Sequence, residues 1–197
     1  MRSLPEGIAE YERLTGVRAA TGGRHPDRGT ENALVSLGDG GYLEIIAPQP
    51  GATLAPSDER MRGMDRLQII TWAVAVDDVD ESVRTLEQAG AAVGPRRPGS
   101  RVTPSGERLE WTTFSLADPA PATAPFFIHW GADARHPSQT APGVCALTRL
   151  SVEDPAAARL AAALEALRVT GVGCARGGPR IEATIRCGSM TAILASA

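Results

Sequence analysis

The chain has 197 residues, of which 43% are hydrophobic and 22% charged, and its formal net charge is -3. This is the composition of an ordinary globular domain, and the slight negative charge gives no indication of a nucleic-acid or anionic-membrane partner. The sequence has no apolar run of about twenty residues and no secretory signal, so we expect a cytoplasmic protein without membrane partners.

The first predicted unit is a helix followed by a hairpin. The helix is predicted within residues 3–19, with Ile8 facing inward and Gly16 ending it. Two strands follow at Ala33–Leu37 and Tyr42–Ala47, and the sequence GDGG between them is typical of a tight hairpin turn.

The second predicted unit has the same helix and strands with one strand added in front. Ile69–Val76 is β-branched and apolar, as in a strand, and an acidic helix start and an amphipathic helix ending at Gly90 follow it. Two or three short strands are then predicted within residues 101–118 and 125–131.

The third predicted unit repeats this order. Leu147–Val152 is a strand, Asp154 followed by Pro155 is a helix start, and strands are predicted in the sequences IEATIRC and MTAILAS near the end. We therefore predict one domain over residues 1–197, built from modules at about 1–50, 66–131 and 145–197, of which the first lacks its opening strand.

Together with this repeat, three stretches carry a family resemblance: residues 22–48 (GGRHPDRGTENALVSLGDGGYLEIIAP), 125–131 (PFFIHWG) and 135–144 (RHPSQTAPGV). The chain resembles the glyoxalase-like domains of the vicinal oxygen chelate superfamily. The resemblance implies an α+β fold of repeated βαβββ modules. Their curved, mainly antiparallel sheet would form a cleft, with helices on the outer face.

The chain departs from this family where it begins, because similar proteins open with a strand of the type Leu-Asp-His. That histidine is a usual metal ligand and has no counterpart here. We expect the place of the absent strand to be filled by a strand of the third unit. A second copy of the chain, giving a homodimer, and an earlier natural start remain alternatives.

Glu44 and His129 are the predicted metal ligands. Glu44 interrupts the apolar strand YLEIIA, where a covered carboxylate is costly unless it is paired or metal-bound. In similar proteins the last strand of a module presents such a glutamate into the cleft. His129 ends the second unit as Glu44 ends the first, so we expect both side chains in one cleft. A solvent-facing Glu44 and a hydrogen-bonded His129 within the sheet are the alternatives.

Four further residues are predicted to contact a small-molecule ligand. His25 lies in the glycine-rich loop GGRHPDRGT, Arg24 beside it suits an anionic group, and Asn32 suits a polar one. Trp130 is an aromatic wall of the cleft or a core residue. A third metal ligand would come from His25, another glutamate (Glu31, Glu110 or Glu182) or solvent.

The resemblance leaves two functions open. One is a metal-dependent lyase or isomerase, in which Zn, Fe, Mn or Ni stabilises a chelated enolate or oxyanion and Glu44 is ligand or base. The other is a non-catalytic module that sequesters a ligand and has a degenerate metal site, so that the divalent metal is absent. In both, the partner is a small molecule. The three cysteines, Cys145, Cys174 and Cys187, are expected to be buried thiols.

Overall fold

The computed structural model describes residues 1–131, 136–143 and 145–197. The helices are α1 (Leu4–Thr15), α2 (Val79–Gln88), α3 (Pro137–Thr140) and α4 (Ala157–Ala166), with a 3-10 helix at Pro56–Gly63. The strands are β1 (Ala20–His25), β2 (Thr30–Gly38), β3 (Gly41–Pro48), β4 (Ala73–Ala75), β5 (Arg97–Val102), β6 (Arg108–Ser115), β7 (Phe126–Trp130), β8 (Cys145–Glu153), β9 (Val172–Ala175), β10 (Arg180–Cys187) and β11 (Met190–Ala195).

The local sequence accounts for several of these boundaries. Gly16 ends α1 in the left-handed conformation, with φ of 70°, and its N–H donates to the carbonyl of Glu12. The side chain of Asp78 caps α2 by accepting a 2.8 Å hydrogen bond from the N–H of Glu81. The three predicted helices are therefore present, and α1 and α2 end close to the glycines, Gly16 and Gly90, that the sequence predicted.

The first two units share one curled sheet. Its seven strands follow the order β3-β2-β1-β5-β6-β7-β4, and all neighbours are antiparallel except β4 and β7. The sheet closes into a half-barrel, so that one face is concave. The predicted α+β fold with a curved, mainly antiparallel sheet is confirmed.

The third unit forms a separate four-stranded sheet with the order β11-β10-β8-β9. In this third unit, β8 lies between β10 and β9. In the second unit the opening strand, β4, lies instead beside β7, the last strand of that unit. The prediction that a third-unit strand fills the vacant place beside β3 is therefore wrong, because β3 ends the larger sheet. The amino group of Met1 instead lies 3.4 Å from the carbonyl oxygen of Ile46 on β3.

The hydrophobic core lies on the convex side of the larger sheet. On β2 and β3, Val35 and Ile45 point outward and pack against Tyr11 of α1 and the smaller sheet. Farther along the sheet, Phe114 and Phe127 pack against α2 and α4 in a second cluster. Because the helices and the smaller sheet take up the convex side, the alternate residues of each strand are left on the concave side.

The cysteines differ from the prediction. Cys145 and Cys187 are opposite each other on β8 and β10 and form a disulfide, while Cys174 is free and half-buried. Disulfides persist mainly in oxidising surroundings, so the cytoplasmic location stays a prediction. Within the described residues, no helix is long and apolar enough to cross a membrane.

Candidate functional site

The strand registers place a set of polar and aromatic side chains on the concave face. Opposed residues of neighbouring strands point to the same side of a sheet, and residues two apart on one strand share a face. Glu44 of β3 is opposite Leu34 of β2, which is two residues from Asn32, so Glu44 and Asn32 face the same side. Arg24 of β1 is opposite Val102 of β5, so their neighbours His25 and Arg101 both face the other side, which is the concave one. We call the following residues the concave site: His25, Asn32, Tyr42, Glu44, Arg101, Trp111 and Trp130.

Asn32 connects the carboxylate and the guanidinium of the concave site. Its amide nitrogen donates a 2.6 Å hydrogen bond to Oε1 of Glu44, and its amide oxygen lies 3.5 Å from Nη1 of Arg101. Asn32 and Arg101 are only 2% and 3% exposed, whereas the Glu44 side chain is 32% exposed. The amide of Asn32 thus lies between the buried guanidinium of Arg101 and the more exposed carboxylate of Glu44.

His25 is held against the same carboxylate. Its Nδ1 lies 2.9 Å from the hydroxyl of Thr30, and its Nε2 lies 3.6 Å from Oε1 of Glu44. Burial lowers the pKa of His25 below its usual value, and the nearby cations Arg28 and Arg101 lower it further, while Glu44 opposes the shift. His25 is therefore neutral at pH 7.

Two glycines of β1 make room for Arg101. A Cβ at Gly22 would lie 2.5 Å from Nη1 of Arg101 and 2.4 Å from Oδ1 of Asn32. Gly23 has a φ of 148°, and a Cβ there would lie 2.2 Å from the carbonyl oxygen of Val102. The glycine pair thus lets the guanidinium lie across β1, next to Asn32.

Aromatic rings form the rest of the concave face. The rings of Trp111 and Trp130 have centroids 4.9 Å apart, and Tyr42 and His136 contact Trp130 edge to face at 6.5 and 5.6 Å. Burial raises the pKa of Tyr42, as does the charge of Glu44, so this phenol is a hydrogen-bond donor at every physiological pH. The rings provide an apolar surface beside the polar groups.

His129 and Arg24 do not lie in the concave site. His129 lies opposite Thr112 and shares the convex side of the sheet with Phe127, because the concave side of β7 is taken by Trp130. Its Nδ1 lies 3.1 Å from the carbonyl of Val76, on the helix side. The prediction that Glu44 and His129 face one cleft is therefore wrong.

Arg24 is exposed on the convex side, opposite Glu31 and Val102. Arg24 therefore does not lie with Glu44 on the concave face, and its predicted contact with a ligand is not supported by this position. His25, Asn32 and Trp130 do lie together on the concave face, and their contact with a ligand stays a prediction.

The donor set does not fit a divalent metal. Glu44 and His25 are close enough to bind one ion, but Glu31 and Glu110 lie on the convex side with His129, and Glu182 belongs to the smaller sheet. Across the described ranges, no three His, Cys, Asp or Glu side chains form a metal-binding group. The guanidinium of Arg101 also places a positive charge where a metal cation would be repelled.

Comparison of the chain with known protein families and structures agrees with this architecture. A family model described as a glyoxalase-like domain matches residues 1–168. The chain belongs to the glyoxalase-like domain family. This membership and the cup-shaped sheet identify the fold of the protein as a small-molecule-binding fold of the vicinal oxygen chelate type.

A solved structure has the same fold as this glyoxalase-like protein. It is a hypothetical protein from Staphylococcus aureus, with 13% sequence identity and a TM-score of 0.60, and the match covers 95% of this chain and 82% of that one. At this identity the likeness shows the fold alone. No curated protein sequence matches the chain.

Sequence reasoning missed Arg101, Tyr42 and Trp111 as members of the site. Tyr42 was detectable, because it is two residues from Glu44 on one strand and so shares its face. Arg101 gave no signal of its own, since arginine is the one basic residue type in the chain and occurs twenty times.

Proposed function

We propose that this glyoxalase-like protein binds a small organic molecule on the concave face through its own side chains, without a resident divalent metal. The observation that supports it is the bridge formed by Asn32 between Glu44 and Arg101. In this arrangement a guanidinium supplies the positive charge beside Glu44. A ligand oxygen can then be held by N–H groups of Arg101, with an apolar part against Trp111 and Trp130.

The test is a thermal-shift screen of small organic acids, alcohols and amines, with EDTA and separately with added Zn²⁺ or Mn²⁺. We expect compounds that raise the melting temperature equally well in EDTA, and we expect this effect to be lost in Glu44→Met and Arg101→Met. The same substitution on the convex face, Arg24→Met, is the matched control. Stabilisation that requires an added divalent metal would overturn the proposal.

A second candidate function is proton transfer with Glu44 as the base, and the partly open position of its carboxylate favours it. Glu44 would remove a proton from the carbon next to a carbonyl, and the electron pair would move to the carbonyl oxygen. The resulting enolate oxygen would accept a hydrogen bond from the guanidinium of Arg101, which stabilises the negative charge. Return of a proton from the Glu44 carboxyl group to that carbon would regenerate the carbonyl compound, with its hydrogen exchanged for one from solvent.

This candidate is tested by incorporation of deuterium from D₂O into a 2-oxo acid, phenylpyruvate, followed by NMR. We expect the protein to accelerate exchange next to the carbonyl above the spontaneous rate, and Glu44→Gln to abolish the acceleration. Exchange at the spontaneous rate, in the presence of measurable binding, would leave the protein as a non-catalytic binding module.

A further inference from the structure

We propose that the ligand of the concave site is a 2-hydroxy carboxylic acid with an apolar ring. Its carboxylate would be bound by Arg101, and its hydroxyl would donate to Glu44. The inference rests on the proposed function, because it requires that the concave face binds a small molecule.

Two buried N–H donors of the concave site lack partners. Nε of Arg101 and Nε1 of Trp130 have no hydrogen-bond partner in the described part of the chain. Burying an unpaired donor costs about 1–3 kcal/mol, and more for a charged group. Neither group can accept a hydrogen bond, so a ligand that satisfies them brings acceptor oxygens, and the charge of Arg101 favours a carboxylate.

Glu44 requires a hydrogen-bond donor on the ligand. As a carboxylate it only accepts hydrogen bonds, and Asn32 supplies one of them. A second carboxylate facing it directly would be repelled, whereas a hydroxyl would donate to it. The ligand therefore needs a donor group turned toward Glu44 and an anionic group turned toward Arg101.

The amide of Asn32 sets the spacing between these two groups. Its nitrogen contacts Glu44 and its oxygen contacts Arg101, so the carboxylate and the guanidinium are separated by the width of one amide. Substituents on neighbouring carbon atoms of a ligand have a comparable separation. A hydroxyl on the carbon that carries the carboxylate meets this requirement.

The aromatic rings of the site indicate what the remaining, apolar part of the ligand should be. Trp111 and Trp130 lie 4.9 Å apart at their centroids, and His25 contacts Trp111 edge to face at 6.0 Å. An apolar or planar substituent would pack against these rings and exclude water from the polar groups. The simplest probe with all three features is mandelate.

The experiment compares three probes by isothermal titration with the full chain. Mandelate has the carboxylate and the hydroxyl, phenylacetate lacks the hydroxyl, and mandelamide lacks the negative charge. We expect mandelate to bind at least about tenfold more tightly than either of the others, because phenylacetate loses the hydrogen bond to Glu44 and mandelamide loses the charge that strengthens its hydrogen bonds to Arg101.

Variants assign each preference to its residue. Arg101→Met should remove the preference for mandelate over mandelamide, and Arg101→Lys should retain part of it. Glu44→Met should remove the preference for mandelate over phenylacetate. Arg24→Met, on the opposite face, should retain both. Because each readout is a ratio of affinities in one variant, a loss of folded protein does not imitate the result.

Equal binding of the three probes, or a preference that persists in Arg101→Met or Glu44→Met, would overturn the inference. So would the failure of mandelate to bind. If other compounds of the screen still bind and depend on Glu44, the proposed function stands and only the ligand class is wrong. If nothing binds to the concave face, both fail.

Discussion

Nδ2 of Asn32 donates a 2.6 Å hydrogen bond to Oε1 of Glu44, and this contact connects the open carboxylate to the buried part of the site. Asn32→Leu keeps the branched shape and the number of heavy atoms of the side chain but removes both the donor and the acceptor near Arg101. We expect the free energy of unfolding to fall by about 1–3 kcal/mol, because buried polar groups lose their partner. Urea denaturation measures the change.

The control for this substitution is Gln88→Leu at the exposed end of α2, where we expect a change within about 0.5 kcal/mol. If Asn32→Leu matched the control or stabilised the protein, the bridge would have no role in holding the site.

Gly22 is the glycine whose replacement should disturb the site most directly. In Gly22→Ala the new methyl group would lie within 2.5 Å of both Asn32 and Arg101, so one of them must move. We expect destabilisation of about 1–3 kcal/mol together with loss of ligand-induced stabilisation. Gly178→Ala is the matched control, since no atom lies within 4 Å of its Cβ position. Equal melting temperatures for the two variants would contradict the close packing over β1.

The positions of most elements follow from local sequence, but the faces of some strands do not. In β3 the single charged residue Glu44 among apolar neighbours indicates the open face. In β7 the residues Phe126, Phe127 and Ile128 are all apolar, so the pattern does not reveal whether His129 shares the core face or the open one. The hydrogen-bond register decides this, and it depends on packing with β6.

Other features depend on pairing between distant strands. Cys145 and Cys187 meet because β8 lies beside β10, and this strand order differs from that of the second unit. The repeat in the sequence predicted the elements of the third unit but not their order. Arg101 is likewise placed by the pairing of β1 with β5, which no local pattern indicates.

The disulfide should contribute strongly to stability, because it closes a loop with a sequence separation of 42 residues. The chain-entropy model gives about 4 kcal/mol for a loop of this length. We expect dithiothreitol to lower the melting temperature of the wild type and to leave the Cys145→Ala/Cys187→Ala double variant unchanged. Thiol titration of the unfolded, unreduced protein should find only Cys174, and three reactive thiols would contradict the pairing.

The buried imidazole of His25 should make stability depend on pH. Burial is the main cause that lowers the pKa of His25 in the folded state, whereas in the unfolded chain it has the ordinary value of about 6.5. Below pH 6.5 the unfolded chain therefore binds more protons than the folded one. The stability contributed by a neutral His25 is complete above about pH 6.5 and decreases as the pH falls through the folded-state value.

The measurement is the free energy of unfolding between pH 5 and pH 8, for the wild type and for His25→Gln. We expect the wild type to lose stability toward the acidic end and the variant to lose less. His136, whose pKa burial also lowers, accounts for part of the remaining slope, so His136→Gln is the matched control on the same face. Equal slopes for the wild type and His25→Gln would show that His25 takes up a proton as easily in the fold as in water, and the neutral imidazole assigned to the concave site would be wrong.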